Sequence, residues 1–285
     1  MNETQYIEYK SVWKDEYLKV ICSFSNAFGG VLELGKNDLG KVVGLAEADK
    51  LMEDLPNKTR STMGILADVH LLEDEGKQFI KIIVNPYPHP ISYHGKYYYR
   101  SGSTTQVLSG NALDEFILRK QGKTWDSVPV PYVKAADLDI VAFREFRRKA
   151  LMSKRLTAED LDIRDDELLE NLMLTEGDYL KRAAVLLFHP NPEKYVMGAY
   201  LKIGFFETNA DLLYQDEIHG PLITMPDKAI ETIYLKYFKA IITYKGIQRV
   251  ETYPVPRDAL REALLNAIVH RDYSSGSPIQ VNIYK

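Results

Sequence analysis

Asn26-Ala27-Phe28-Gly29-Gly30-Val31-Leu32-Glu33-Leu34-Gly35 reads as the end of a helix running into a strand. Upstream, Trp13, Tyr17, Val20, Ile21, Phe24 and Phe28 recur three and four apart, the spacing of one apolar helix stripe. Gly29 can take the left-handed conformation that closes a helix, and Gly30 lets the backbone pass close to a neighbour. Asn37-Asp38-Leu39-Gly40 is turn chemistry, so Val31–Leu34 and Lys41–Leu45 are expected to pair as a hairpin.

Composition bounds the rest. The 285 residues are 45% hydrophobic, enough for real cores in two or three domains of a soluble chain. A net charge of −4 argues against wholesale electrostatic capture of nucleic acid but leaves room for a local basic groove. The longest apolar runs, such as Ala183–Phe188, are far too short to span a bilayer, and Met1-Asn2-Glu3-Thr4 has no signal-peptide features. The single cysteine, Cys22, sits within the helix pattern and fits a buried thiol in a reducing cytoplasm. No zinc-ligand spacing and no P-loop occurs.

The fold class expected is α+β, in three parts. Residues 1–121 form a mixed α/β domain, with a helix over Glu47–Leu55 ended by Pro56 and a hairpin from Leu66–Leu72 and Phe79–Val84. A third hairpin pairs Ile91–Tyr93 with Tyr97–Arg100, and a helix comes after it with Ser109 as its cap. Residues 122–180 read as a linker and helical connector, with a helix opened by Asp139, another over Asp165–Met173, and a winged-helix-like unit as one reading beside plain connecting helices. Residues 181–285 begin with a strand at Ala183–Phe188 and continue with strands at Ala199–Phe206 and near Asp216–His219. A long helix from Pro226 to Thr243, a helix over Arg257–His270 and a strand over Ile279–Tyr284 complete the pattern. That last strand meets the chain end without a stop signal, so a truncated domain is expected.

Three residue sets can carry chemistry. Glu3 and Glu8, five apart, together with Asp38 could hold a divalent metal for phosphodiester chemistry, or be solvated acids, with Glu8 salt-bridged to Lys10 along a strand. Arg100 with Ser101, Ser103 and Thr104, beside Tyr97, Tyr98 and Tyr99, could meet phosphate and bases, or the tyrosines could be core. Glu262 and Asn266, four apart on one helix face, could activate water and hold magnesium beside a nucleotide phosphate, or be an exposed hydrogen-bonded pair.

Taken as an ordered set, Glu8-Tyr9-Lys10, the Asn26–Gly35 stretch, Gly40-Lys41-Val42-Val43-Gly44-Leu45 and Tyr98-Tyr99-Arg100-Ser101-Gly102-Ser103 resemble the Schlafen/AlbA type of DNA-binding domain over about residues 1–120. Ala183–Phe188 with Pro190, and above all Arg261-Glu262-Ala263-Leu264-Leu265-Asn266-Ala267-Ile268-Val269-His270-Arg271-Asp272-Tyr273, resemble the RecG-like ATP-binding proteins, a divergent GHKL branch. The two resemblances together imply a bacterial transcriptional regulator. From the GHKL side they imply Glu262 as the water-activating residue and Asn266 as the magnesium ligand. From the ribonuclease members of the Schlafen branch they imply Glu3, Glu8 and Asp38, although Lys36 and Asn37 stand where many relatives carry a hydrophobic residue and acids. The GHKL lid and its Asp-x-Gly-x-Gly loop would fall after Lys285, so ATP and magnesium are expected to bind this chain weakly or not at all.

The function expected is therefore a cytoplasmic nucleic-acid-binding regulator, DNA favoured over RNA, with Lys10, Arg100, Ser101, Ser103 and Thr104 in the interface and an incomplete nucleotide-binding domain behind it. A metal-dependent endoribonuclease and an ATP-dependent switch are the alternatives. No membrane partner is expected, and self-association is left open.

Overall fold

The computed structural model describes residues 3–285 and divides into two units, Met1–Thr124 and Trp125–Lys285. In the first, β1 (Ile7–Lys10) is followed by a 3-10 turn at Asp15–Tyr17, α1 (Leu18–Asn26), β2 (Gly30–Leu34) and α2 (Ala48–Met63). β3 (Asp68–Asp74), β4 (Lys77–Val84), β5 (Tyr98–Ser101), β6 (Thr104–Val107) and α3 (Gly110–Lys120) complete it. The main sheet has the order β1-β2-β4-β3, with β1 parallel to β2 and β4 antiparallel to both its neighbours. β5 and β6 form a separate antiparallel hairpin.

Parallel neighbours need a crossover, and α1 supplies it between β1 and β2. Every residue of α1 except Lys19 is buried, so the expected single stripe is a helix enclosed all round. Its apolar side chains share a core with Leu32, Leu34, Ile80 and Ile82 of the sheet. Its polar residues are satisfied in place: Ser23 Oγ donates to Val20 O at 2.8 Å and Ser25 Oγ to Ile21 O at 2.9 Å. Burial pushes the Cys22 thiol up to about 11, which leaves it inert at neutral pH.

The double glycine is required by the neighbours of the helix end. Gly29 has φ +79°, its N–H donates to Phe24 O at 3.0 Å, and a Cβ there would lie 2.8 Å from Val84 O. A Cβ on Gly30 would fall 2.4 Å from the Phe24 ring. The chain therefore turns at once from α1 into the sheet, and Phe28 is left exposed rather than on the core stripe.

Three expectations for this unit change. β2 is flanked by β1 and β4 and has no free edge, so the Lys41–Leu45 hairpin shrinks to one bridge, Lys36 with Val42. Pro56 lies inside α2 instead of ending it, removing the N–H that would meet the Met52 carbonyl, and Asn57 Nδ2 donates to the adjacent Glu53 carbonyl at 3.0 Å. The third hairpin is likewise one bridge, Tyr93 with Lys96, because β5 pairs with β6.

The second unit opens with β7 (Pro129–Val130), α4 (Ile140–Met152), α5 (Ala158–Leu161), α6 (Asp165–Asn171), β8 (Thr175–Glu176), β9 (Tyr179–Lys181) and α7 (Arg182–Phe188). Asp139 caps α4 as expected, its Oδ1 accepting from Val141 N at 2.8 Å. The small sheet runs β7-β9-β8, a winged-helix-like arrangement of helices and hairpin. Then come β10 (Leu201–Phe206), β11 (Leu212–Ile218), α8 (Met225–Thr232), a π-helical turn at Ile233–Tyr237, β12 (Ile241–Lys245), β13 (Gln248–Thr252), α9 (Arg257–Val269) and β14 (Ile279–Tyr284). β10 is central, antiparallel to β11 and parallel to β14; β12 and β13 form their own hairpin.

Ala183–Phe188, expected as a strand, is α7. Val185 and Phe188 enter one core while Leu186 enters the next, so the helix is buried on two sides and has no polar face to give a 3.6-residue period. For the same reason residues 122–180 are not a separate connector: α7, which lies beyond them in the chain, completes their core of Val130, Phe143 and Leu169. The helix expected from Pro226 to Thr243 ends at the π-helical turn, and β-branched Ile241, Ile242 and Thr243 enter a strand. Among the described residues no helix is long and apolar enough to cross a membrane.

Two of these contacts can be tested directly. Gly30→Ala should destabilise the first unit by about 1–3 kcal/mol through the forced contact with Phe24, read as a lower urea midpoint from Trp13 fluorescence in a Trp125→Phe background. His219 sits with Nδ1 2.8 Å from Glu193 Oε1 and Nε2 3.2 Å from Glu217 Oε2. The hydrogen bond to Glu193, opposed by burial and reinforced by Glu217, raises its pKa. The stabilisation it gives is thus complete below the ordinary value of about 6.5 and is lost as pH rises through the raised one. An NMR titration of the His219 ring should give a midpoint above that of a free histidine, falling in Glu193→Gln because the largest raising contribution is removed.

Candidate nucleic-acid interface

Alternate residues of a strand share a face, so β1 puts Glu8 and Lys10 on one side and Tyr9 on the other. Lys10 Nζ lies 2.6 Å from Glu8 Oε1 and 3.1 Å from Glu3 Oε1, and Arg100 Nη2 lies 2.7 Å from Glu8 Oε2. Glu3 Oε1 also accepts from Tyr9 N at 3.1 Å, which ties it to β1. Side-chain exposure falls along this chain of charges, from 26% at Glu3 and 22% at Lys10 to 9% at Glu8 and 1% at Arg100. The file leads from the surface to the centre of the domain.

Arg100 is held there from several sides. Nη2 donates to Thr4 O at 2.9 Å, Nη1 to Thr105 Oγ1 at 3.4 Å, and the guanidinium carbon lies 5.2 Å from the centre of the Phe24 ring. Thr105 Oγ1 is in turn 3.1 Å from Ser23 Oγ on α1. The same face of α1 carries Asn26, whose Nδ2 donates to Ile91 O and Tyr98 O at 2.8 Å each, while Oδ1 accepts from Ile91 N at 2.8 Å. Together Arg100 and Asn26 fasten the β5–β6 hairpin to α1 and β1. Burial works against the charge of Lys10, but its hydrogen bonds to Glu8 and Glu3 prevail and its pKa is raised.

The residues singled out in the sequence occupy quite different positions. Arg100, expected to meet phosphate, is an interior anchor whose donors turn inward. Ser101, Ser103 and Thr104 are exposed at the hairpin tip, where Thr104 Oγ1 donates to Ser101 O at 2.9 Å and Gly102 takes φ +56°. Lys10 stays partly exposed between two acids. Glu3 and Glu8 meet through Lys10, but Asp38 does not join them. Its turn packs beneath Tyr9, where a Cβ on Gly40 would be 3.1 Å from the ring, and Tyr9 points from β1 opposite to Glu8. Among the described residues no group of three or more His, Cys, Asp or Glu could share a metal ion.

In the second unit Glu262 and Asn266 are both exposed on α9, with Asn266 Nδ2 donating to Glu262 Oε1 at 3.3 Å, while Leu264 and Ile268 face the core. The pair is adjacent, as its spacing predicts. Asn26, Thr4 and Thr105 are the site residues that pattern reading misses. Asn26 alone carried a signal, as the one amide in an otherwise buried helix.

Residues 3–109 match the family described as Schlafen, AlbA_2, a span that runs from β1 through the β5–β6 hairpin. No curated protein matches the chain. Among solved structures, the DIP2311 protein from Corynebacterium diphtheriae is similar at 18% identity with a TM-score of 0.43, covering 98% of this chain and 58% of its own. The chain thus spans 58% of that protein's length. The N-terminal domain of a RecG-related protein from Nitrosomonas europaea is similar at 26% identity with a TM-score of 0.28, covering 39% of this chain and 89% of its own.

The geometry changes what an Arg100 substitution measures. Arg100→Met should leave Glu8 with Lys10 as its remaining cation and its Oε2 unpaired, at a cost of about 1–3 kcal/mol, whereas Glu8→Gln with Arg100→Met together should recover part of that loss. A double-mutant cycle in urea gives both numbers; additive costs would mean that the pair is not coupled.

Proposed function

We propose that residues 3–109, a Schlafen, AlbA_2 domain by their family match, bind nucleic acid, DNA in preference to RNA, and that the contact surface is the tip of the β5–β6 hairpin. The observation that carries this reading is the way the hairpin is held: Arg100 and Asn26 anchor it from within, and Ser101, Ser103 and Thr104 are turned to solvent. Rigid hydroxyls and turn amides suit phosphate and sugar, the contacts that set register on a nucleic acid. The charges nearby cancel, since Glu3 and Glu8 balance Lys10 and Arg100. Counterion release is therefore small, and the steep salt dependence that a basic groove would produce is not expected.

The winged-helix-like part of the second unit fits this role less well. α6, the helix that precedes its hairpin, opens with Asp165, Asp166 and Glu167, which repel a phosphate backbone. The second unit enters the proposal instead as a nucleotide-responsive element of a transcriptional regulator. Glu262 and Asn266 share one exposed patch of α9 and offer the hard oxygen donors that suit magnesium, with Asn266 as ligand and Glu262 orienting water when a nucleotide is bound.

The test is fluorescence anisotropy of the full chain with labelled duplex DNA and single-stranded RNA between 50 and 200 mM potassium chloride. Binding should fall with a log–log slope shallower than about −3, equivalent to about three phosphates neutralised. Ser103→Ala with Thr104→Val should weaken it about tenfold, as the loss of one hydrogen bond to a charged acceptor predicts. An unchanged affinity in that variant would remove the hairpin tip; no binding to either probe would remove the reading. Cleavage of the RNA in manganese, abolished by Glu8→Gln, would replace binding by catalysis.

A further inference from the structure

The Arg261–Tyr273 stretch does more than present Glu262 and Asn266. α9 also borders a cavity of about 590 Å³, within the range of small-molecule sites of roughly 300–1,000 Å³. Its floor is aliphatic, from Leu186, Leu222, Leu265 and Ile268, and Trp125 and Tyr273 form an aromatic wall with ring centres 6.2 Å apart and planes 22° from parallel.

Three cations and two acids, Asp126 and Asp272, line this cavity, and two of the cations share one carboxylate, Asp227. Lys149 Nζ lies 2.7 Å from Asp227 Oδ2, and Arg261 Nη1 lies 2.9 Å from Asp227 Oδ1. Arg271 differs. Its Nε and Nη1 are buried and have no hydrogen-bond partner among the described residues, Nη2 donates weakly to Met197 O at 3.4 Å, and the guanidinium carbon lies 4.3 Å from the Tyr273 ring centre. The adjacent Asp272 is engaged elsewhere, its Oδ1 accepting from Ser274 N at 2.9 Å and Ser274 Oγ at 2.6 Å. Buried donors left without acceptors are costly, and a guanidinium so placed gains from an incoming anion far more than a solvated one does.

We propose that this cavity binds a small organic monoanion with a flat apolar body, the body lying between the aliphatic floor and the Trp125–Tyr273 wall and the anionic group meeting Arg271. A neutral compound of the same shape would leave the two Arg271 donors unpaired, so charge sets the selectivity. Burial lowers the pKa of Arg271, and the neighbouring Tyr273 hydroxyl and Asp272 carboxylate offset only part of that effect. Neither Glu262 nor Asn266 lines the cavity, although Val269, which neighbours both on α9, does.

Isothermal titration calorimetry of the full chain with 1-naphthoate, and with neutral 1-naphthalenemethanol, tests the proposal. The naphthoate should bind with a Kd below about 1 mM and the alcohol at least tenfold more weakly. Arg271→Met should remove that difference by weakening only the naphthoate, and Leu265→Trp, which fills the cavity, should abolish binding of both. Equal affinities for the two probes with the wild-type chain would overturn the anionic anchor without recourse to any variant. Binding of naphthoate undiminished in Leu265→Trp, with the far-UV circular dichroism unchanged, would place it outside this cavity and overturn the site. No heat with either probe would overturn the proposal as a whole.

Discussion

A guanidinium taken out of water needs an acid beside it, and the pairing of Arg100 with Glu8 meets that need at the centre of the first unit. Much of the local architecture converges on the pair, although Arg100 Nε has no hydrogen-bond partner among the described residues. β1 brings Glu8, the segment before β1 supplies the Thr4 carbonyl, β6 supplies Thr105, and α1 supplies the Phe24 ring beneath the cation. Such a pair contributes little to stability when compared with well-packed hydrophobic residues, yet it is costly to break. What it adds is definition: the β5–β6 hairpin, which shares no ladder with the main sheet, acquires one seat rather than several.

The second unit has a comparable clasp nearer its surface. Asp227 on α8 receives Lys149 from α4 and Arg261 from α9, so one carboxylate joins the helical first part of the unit to the β10–β14 part. α7 does the same with apolar atoms by serving two cores at once. These two links explain why segments that differ in composition fold as a single unit. Neither link leaves a trace in the prolines and charge runs that mark boundaries in the sequence.

Pattern was most informative where a residue's environment is set by its neighbours in the chain. The β3–β4 hairpin, the Asp139 cap of α4, the helix after Pro256 and the terminal strand all follow from local spacing or turn chemistry. It was least informative where partners are distant. The hairpin after β2 was legible as a turn, but not the fact that both edges of β2 were taken. Arg100 was legible as a residue of consequence, but arginine in a polar stretch reads the same whether it meets phosphate or Glu8. The carboxylate trio failed for a similar reason: strand alternation placed Glu8 and Lys10 together, while nothing local says that the Asp38 turn folds beneath Tyr9, on the other face. Glu262 and Asn266 needed only the helical period to be placed side by side.

The order β1-β2-β4-β3 leaves β3 as an outer strand, seven residues long and antiparallel to one neighbour only. An unpaired strand edge is a template for another chain, and Val69, Leu71 and Leu72 would favour such templating. Its solvent side carries Asp68, His70, Leu72 and Asp74, and these, like Glu73, are exposed. A second copy approaching in register, edge to edge, would set these acids against their own kind. The edge is thus guarded by self-repulsion, a device that keeps one copy of the chain from extending the sheet of another.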